Sequence, residues 1–250
     1  MYRYFISLSY KGTGYHGWQI QPGSITVQET VQHSLSVILQ QKTEITGCGR
    51  TDTGVHARFF IAHFDSGKDI EKDFDNIIFR LNNHLPVDIE IKNICRVSDD
   101  AHARFDAIAR TYEYHIARHK DPFMKDLVWY RKEFLSLSQM NRAAEILNDY
   151  IDFTSFSKLH TDVKTNNCNI SHARWFSNNS GYVFIIRADR FLRNMVRAIV
   201  GTMVDIGTGK TSIESFRNII ESRDRSMAGI SAPASGLYLS LVEYPYPIGV

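Results

Sequence analysis

Cysteine is scarce in this chain. Cys48, Cys95 and Cys168 are odd in number and widely separated, which argues against a disulfide framework and for a reducing compartment. Long apolar runs are missing as well: none approaches the roughly 18 residues that a membrane span requires. The opening MYRYFISLSYKG lacks the pattern of a secretory signal, so a cytoplasmic protein with no membrane association is expected. Net charge is small, at +2, and no long linker, low-complexity tract or strong short repeat interrupts the chain. Its 250 residues suffice for one large domain or two small ones, each with a core.

What charge there is collects locally. Arg187, Arg190, Arg193 and Arg197 stand against the single acid Asp189. Between 102 and 120, three histidines (His102, His115, His119) join Arg104, Arg110, Arg118 and Lys120 against Asp106 and Glu113. Such patches on a near-neutral chain suit a polyanion such as nucleic acid, although a solvated charged face accounts for any one of them.

Periodicity gives the elements. RYFISLSY (3–10) alternates as a strand. A helix follows a Thr26–Glu29 capping box, with Val27, Val31, Leu35, Ile38 and Leu39 on one face. FFIAHFD (59–65) and DIEIKNICRV (88–97) read as strands around a helix from Asp73 to Leu85 that stops at Pro86. RTYEYHIA (110–117) begins a comparable series. It continues with a helix from Gln139 to Leu147 capped by Ser138, and a hairpin of HARWFS and YVFIIRAD turning at NNSG. A helix from Arg190 to Asp205, another after a Thr211–Glu214 capping box, and the strand GLYLSLVEY (236–244) complete it. The expected class is α+β, with antiparallel sheets flanked by helices and two similar halves, 1–107 and 108–250.

Several motifs fail on context. GTGYHG (12–17) follows a strand, but Pro22 and Gly23 occupy the place of the helix that a dinucleotide site needs. GTGKTS (207–212) follows a helix and has Val204 where a phosphate-binding loop needs glycine. No nucleotide cofactor is therefore expected. Asp99–Asp100 and the Asp73/Asp75 pair sit at a turn and a helix start, where acids are ordinary. Cys48, His56 and His63 match no zinc spacing, so no metal is expected.

GCGRTDTGVHARF (47–59) holds one acid, Asp52, between Arg50 and Arg58 amid three glycines. Taken alone, Asp52 reads either as a turn residue or as a carboxylate placed for chemistry. In the Arg190–Asp205 segment, positions 190, 193, 197 and 201 share a helical face. Arg197, flanked by Val196, Ala198 and Ile199, fits equally a part-buried guanidinium needing an anionic partner and a snorkelling surface side chain. Arg193 fits the solvated ridge better. Tyr112 and Tyr114 share a strand face and suit either packing or stacking on an unpaired base.

These residues resemble the tRNA pseudouridine synthase A (TruA) family. GRTDTGVHA (49–57) is similar to that family's signature loop, where GRTDAGVHA is typical. GTGYHGWQIQP with TVQE, ARFDAIARTYEY, DFTSFSK, FLRNMVRAIVG and ASGLYL follow the family order along nearly the whole chain. The resemblance implies a cofactor-independent isomerase with the two-halved pseudouridine synthase fold, usually a homodimer. It implies tRNA as partner, and conversion of uridine to pseudouridine at positions 38–40 of the anticodon stem-loop. By the same resemblance Asp52 is the catalytic carboxylate, and Arg50 assists nucleotide extrusion or holds the nearby phosphate. Tyr112 stacks on the flipped uracil, Arg197 pairs with Asp52, and Leu237 lines the base pocket. Thr53, Lys11 and Ile151 depart from the usual alanine, aspartate and histidine without removing a residue given a chemical role. A non-catalytic RNA-binding module on the same scaffold also explains the basic patches and tyrosines, but gives Asp52 no task.

Overall fold

The computed structural model describes residues 1–158 and 165–249. In chain order the first elements are β1 (Tyr2–Tyr10), α1 (Val27–Leu39), β2 (Ile45–Gly47), β3 (His56–Ser66), α2 (Phe74–His84) and β4 (Ile89–Arg96). Then come β5 (Ala109–Ala117), β6 (Trp129–Tyr130), α3 (Leu137–Ile146), β7 (Ile170–Asn178), β8 (Gly181–Ala188), α4 (Met195–Gly207), α5 (Ile213–Ser222) and β9 (Leu237–Glu243). Apart from the two-residue β6 and the doubled helix α4–α5, the order strand-helix-strand-strand-helix-strand occurs twice. In the first series β1 and β2 both pair antiparallel with β3. In the second, β5 and β7 both pair antiparallel with β8. The α+β class with two similar halves is what the alternating patterns imply.

The chain forms two compact units, Met1–Ile108 together with the segment from Leu239 onward, and Ala109–Tyr238. The closing strand of the second series thus belongs mostly to the first unit, where β9 lies beside β3 in the order β4-β1-β3-β9. Pattern reading assigns every residue after 107 to the second half, because local periodicity carries no information about where a returning strand pairs.

In the first unit Tyr4, Phe5, Ile6 and Leu8 of β1 are all buried, as are Phe60 and Phe64 of β3. One face of β1 is apolar through Tyr4, Ile6 and Leu8, whereas the other sets the buried Phe5 among Arg3, Ser7 and Ser9. On one side Phe5 is packed by Tyr244 at 5.2 Å and Tyr246 at 6.4 Å. Val31 and Leu35 of α1 and Ile77 and Leu81 of α2 bury the apolar stripes that the helical spacing sets out. In the second unit, Tyr114, Phe184 and Trp175 stand in register across β5, β8 and β7. Trp175 stacks on Phe184 at 4.8 Å, and its indole N–H donates to the Met203 sulfur of α4 at 3.2 Å. That aromatic row seats α4 against the sheet.

Three helix starts differ from expectation. α4 begins at Met195, not Arg190, because Asn194 adopts a left-handed conformation (φ 66°) and Asp189 Oδ1 draws the backbone N–H groups of Arg190 and Asn169 into a local turn. Arg190 and Arg193 therefore lie off the helix, and the stripe reduces to Arg197 and Gly201. α5 is capped by Ser212, whose hydroxyl accepts from the Ser215 N–H, rather than by Thr211. α3 starts after Ser136 instead of Ser138. Of the three, Ser212 alone caps with its side chain; Asn194 and Ser136 make no side-chain cap bond.

Gly201 has a definite reason. A Cβ there would overlap the carbonyl oxygen of Ile230. Helix propensity alone favours Gly201→Ala by up to ~1 kcal/mol, whereas the overlap costs about 1–3 kcal/mol or more. The expected outcome is a lower urea midpoint with an unchanged slope. A raised midpoint would show that the 230 segment yields easily.

Candidate active site

The loop carrying Asp52 runs from the end of β2 to the start of β3, and its conformation is set by a second loop, residues 11–18. Gly17 has φ +84°, and a Cβ on it would overlap the Thr51 carbonyl; one on Gly12 would overlap the Val55 carbonyl. With backbone packed on backbone, hydrogen bonds close the gap. The Trp18 N–H donates to the Thr51 carbonyl at 3.2 Å, and the Gly54 N–H to the Tyr15 carbonyl at 3.4 Å. The Gly12 N–H donates to Nδ1 of the buried His56 at 2.9 Å, and Tyr10 shares a buried 2.8 Å hydrogen bond with the Thr51 hydroxyl. Two of the three glycines that suggested a dinucleotide motif, Gly12 and Gly17, are thus the bed on which the Asp52 loop lies.

That bed is itself anchored. The Val27 and Gln28 N–H groups at the start of α1 donate to the Gly17 and Trp18 carbonyls, at 3.2 and 2.9 Å, while the Thr26 hydroxyl accepts from the Glu29 N–H. Thr26 thus caps the start of α1, and the free N–H groups of its first turn fix the loop before it. The Trp18 indole stacks on Phe60 at 4.0 Å, with Gly47 leaving room for both rings. Tyr15 donates to Asp88 at 2.7 Å; burial, reinforced by this carboxylate, pushes its phenol well above the usual range.

On this support, residues 52–55 form a tight turn. The Asp52 carbonyl accepts from the Val55 N–H at 3.1 Å, and Gly54 takes φ +78°. The turn uses the backbone of Asp52, whose side chain is half-buried, whereas Thr51 is buried and Arg50 exposed. The turn-residue reading holds for the main chain of Asp52, which makes the turn. Thr53 occupies the exposed position after Asp52, which accepts threonine as readily as alanine.

In the second unit one strap joins Arg197 to Tyr114 of β5 and runs into Leu237. Arg197 of α4 donates from Nε to the Ala232 carbonyl at 2.7 Å, and the Ala232 N–H donates back to the Arg197 carbonyl at 2.9 Å. The guanidinium is thereby oriented and half-buried, so the snorkelling reading of Arg197 is set aside. The next residue of the strap, Pro233, accepts the Tyr114 hydroxyl at 2.8 Å. Burial drives that phenol far up, and the nearby Arg197 charge acts the opposite way. Gly236 lies against the Tyr114 ring and the His115 carbonyl, with no space for a Cβ. Leu237, immediately after it, is buried. Tyr112 is half-buried and meets Phe191 edge to face at 5.1 Å. Although Tyr112 and Tyr114 share a face, Tyr114 is committed to the core.

Sequence reasoning missed the strap's fixings. Thr202 Oγ1 accepts the Gly229 N–H at 2.9 Å; Arg225 reaches the Gly229 carbonyl at 3.1 Å and the Ser231 hydroxyl at 2.9 Å. The signal was present in Gly201, one turn beyond Arg197 on the same face. Among the described residues no cluster of three or more His, Cys, Asp or Glu is placed to hold a metal ion. His56 and His63 spend their Nδ1 atoms on backbone N–H groups of Gly12 and Ala103. Gly207 closes α4 against the Met140 side chain, so GTGKTS is a helix end.

Gly17→Ala combines a forbidden φ with backbone overlap, directly under Thr51. It is expected to cost roughly 2–4 kcal/mol, read as a lowered urea midpoint. Gly23→Ala, at a positive φ with nothing within 4 Å, is expected to cost only ~1 kcal/mol. Equal losses would contradict the bed beneath Asp52.

The family model described as tRNA pseudouridine synthase matches residues 147–245. Over nearly the whole length, the chain is similar to proteins named tRNA pseudouridine synthase A. It is 55% identical over 247 residues to the one from Porphyromonas gingivalis, and 53% over 248 to the one from Bacteroides fragilis, covering 98% of each chain in both cases. Similarity persists at 36% over 242 residues with the protein of Thermoanaerobacter sp., covering 96% of this chain and 98% of that one. With identities above 50% over nearly the whole of both chains, the chain belongs to the tRNA pseudouridine synthase A family.

Proposed function

We propose that this isomerase acts on tRNA, converting uridines at positions 38–40 of the anticodon stem-loop to pseudouridine, with Asp52 as the catalytic carboxylate. The reaction breaks the N1–C1′ bond, turns the uracil, joins C5 to C1′ and removes the C5 proton. No redox change or energy input enters. Asp52 begins it either by attacking C1′ or by removing the C2′ proton to give a glycal. The observation that carries the reading is the way the motif's one carboxylate is held: its main chain is locked in a turn on a glycine-tight bed, and its side chain is half-exposed. A reactive group needs such positioning, since orientation supplies much of the rate.

The remaining roles follow the family motifs. A uracil inside an RNA stem reaches a carboxylate only after leaving the stack, at a cost of a few kcal/mol. Arg50, exposed beside the Asp52 turn, grips the phosphate or helps extrude the nucleotide. Tyr112 stacks on the released base, and Leu237 lines its pocket. Arg197 is assigned as the partner of the Asp52 carboxylate, because burial disfavours the charged form of a carboxylate and a guanidinium opposes that. Recognition through phosphates and shape lets neighbouring uridines share one site. As in the family, the working form is proposed to be a homodimer.

Replacing Asp52 by Asn is expected to abolish pseudouridine formation while leaving tRNA affinity equal or higher, since a negative charge leaves the RNA groove. Retained activity would remove Asp52 from the chemistry; a parent without activity would favour the non-catalytic binding module. For Arg197→Lys, which loses the planar fork and its Nε bond, turnover should fall at least tenfold (~1.4 kcal/mol or more) with little change in tRNA affinity.

A further inference from the structure

Between β5 and α3 the chain makes an excursion, from Arg118 to Phe134, that contributes little to the core. Phe123 is 90% exposed and Phe134 73%, with Tyr130 exposed between them. Single exposed apolar residues are ordinary on protein surfaces, but here aromatics and cations are interleaved. Arg118 lies over the Phe134 ring at 5.9 Å, Lys120 over Tyr130 at 5.9 Å and Arg131 over Trp129 at 4.8 Å. Lys125 and Lys132 are exposed on the same segment.

Three carboxylates share the segment. Asp121 is engaged as a cap, accepting the Phe123 N–H at 2.9 Å, and Glu133 pairs with Arg131 at 3.0 Å. Asp126 stands at a left-handed turn (φ 61°). The balance of Lys and Arg over acids remains positive.

The excursion is held at its base. β6 pairs in parallel with β5, Trp129 opposite Ile116 and Tyr130 opposite Ala117. The Arg131 N–H donates to the Ala117 carbonyl at 2.8 Å, and the Arg118 N–H to the Ser180 carbonyl at 2.9 Å. The Tyr238 hydroxyl, next to Leu237, donates to the Leu127 carbonyl at 2.6 Å. Exposed rings on an anchored base lose little freedom on binding.

We propose that this excursion is a second RNA-docking surface, which grips tRNA by base or sugar stacking and phosphate contacts at a distance from the reacting uridine. It rests on the reading of tRNA as substrate. Exposed aromatics with interleaved cations suit a strand whose bases stack and whose backbone is anionic. A protein partner fits less well, because lysine is depleted from the centres of protein interfaces. From Tyr112 to Ala117, β5 covers ~17 Å at about 3.3 Å per residue. At ~3.4 Å per nucleotide step, the surface meets RNA about five steps or more from the base stacked on Tyr112.

The test uses the full chain and unmodified tRNA, with the dissociation constant measured across a salt series and single-turnover pseudouridine formation at saturating enzyme. Phe123→Ala combined with Phe134→Ala should raise the dissociation constant roughly tenfold or more, while the saturating rate and melting temperature stay at parent values. Lys120→Ala with Lys132→Ala should reduce the salt slope by about 2. Unchanged affinity and slope would overturn the proposal. So would an equal loss in the saturating rate, which would place these residues in the reacting site. Sedimentation supplies a third reading: a shift in oligomeric state with tRNA affinity unchanged would give the surface to a second copy instead. A parent that binds tRNA through these residues yet forms no pseudouridine would leave the docking surface standing and remove the proposed activity.

Discussion

The close approach of two backbones around Asp52 is the constraint on which the rest of the first unit's chemistry depends. Gly12 and Gly17 admit the carbonyls of Val55 and Thr51 into space that a Cβ would fill. Everything nearby follows from that contact: Trp18 and Tyr15 exchange hydrogen bonds with the loop, and α1 starts where it does because its first N–H groups meet the Gly17 and Trp18 carbonyls. A catalytic side chain on an ordinary surface loop would sample many positions. Here the loop's main chain is held by hydrogen bonds from Trp18 and to Tyr15, so for the proposed catalytic Asp52 part of the positioning entropy is met on folding.

The second unit solves the same problem differently. Its residues lie on three separate elements: Tyr112 on β5, Arg197 on α4 and Leu237 on β9. The strap from Gly229 to Gly236 touches all three elements or their immediate neighbours. Gly201 admits the strap to α4, Gly236 admits it to β5, and Arg197 spends one donor on it. Close backbone packing through glycine thus supports both sets of residues, although the two units arrange it with unrelated geometry.

Much of this was legible in the sequence, for physical reasons that separate the successes from the failures. Strands and helices with strong periodicity were placed within a few residues, since an amphipathic stripe needs only local information. Three helix starts were not: Ser212 caps through its hydroxyl in place of Thr211, whereas α4 and α3 start after Asn194 and Ser136 with no side-chain cap bond at all. The two short strands β2 and β6 had too few residues to show alternation. The return of β9 to β3 is a long-range pairing, invisible to any window. The proposed functional residues Asp52, Arg50, Tyr112, Arg197 and Leu237 could be named by motif, whereas the supports within each unit could not. Gly12 and Gly17 were visible as a glycine motif, but their partners are Thr51 and Val55, far along the chain, and only the folded backbone shows that.

The central claim is that this chain makes pseudouridine in tRNA, with Asp52 as the proposed catalytic carboxylate. Tritium release from tRNA labelled at uridine C5 reads the defining step, loss of the C5 proton, with no assumption about the route taken at C1′. The purified protein is expected to release label from tRNA bearing uridine at 38, 39 or 40, and none from the same tRNA with cytidine at all three positions. No release from any tRNA with uridine at these positions would contradict the account.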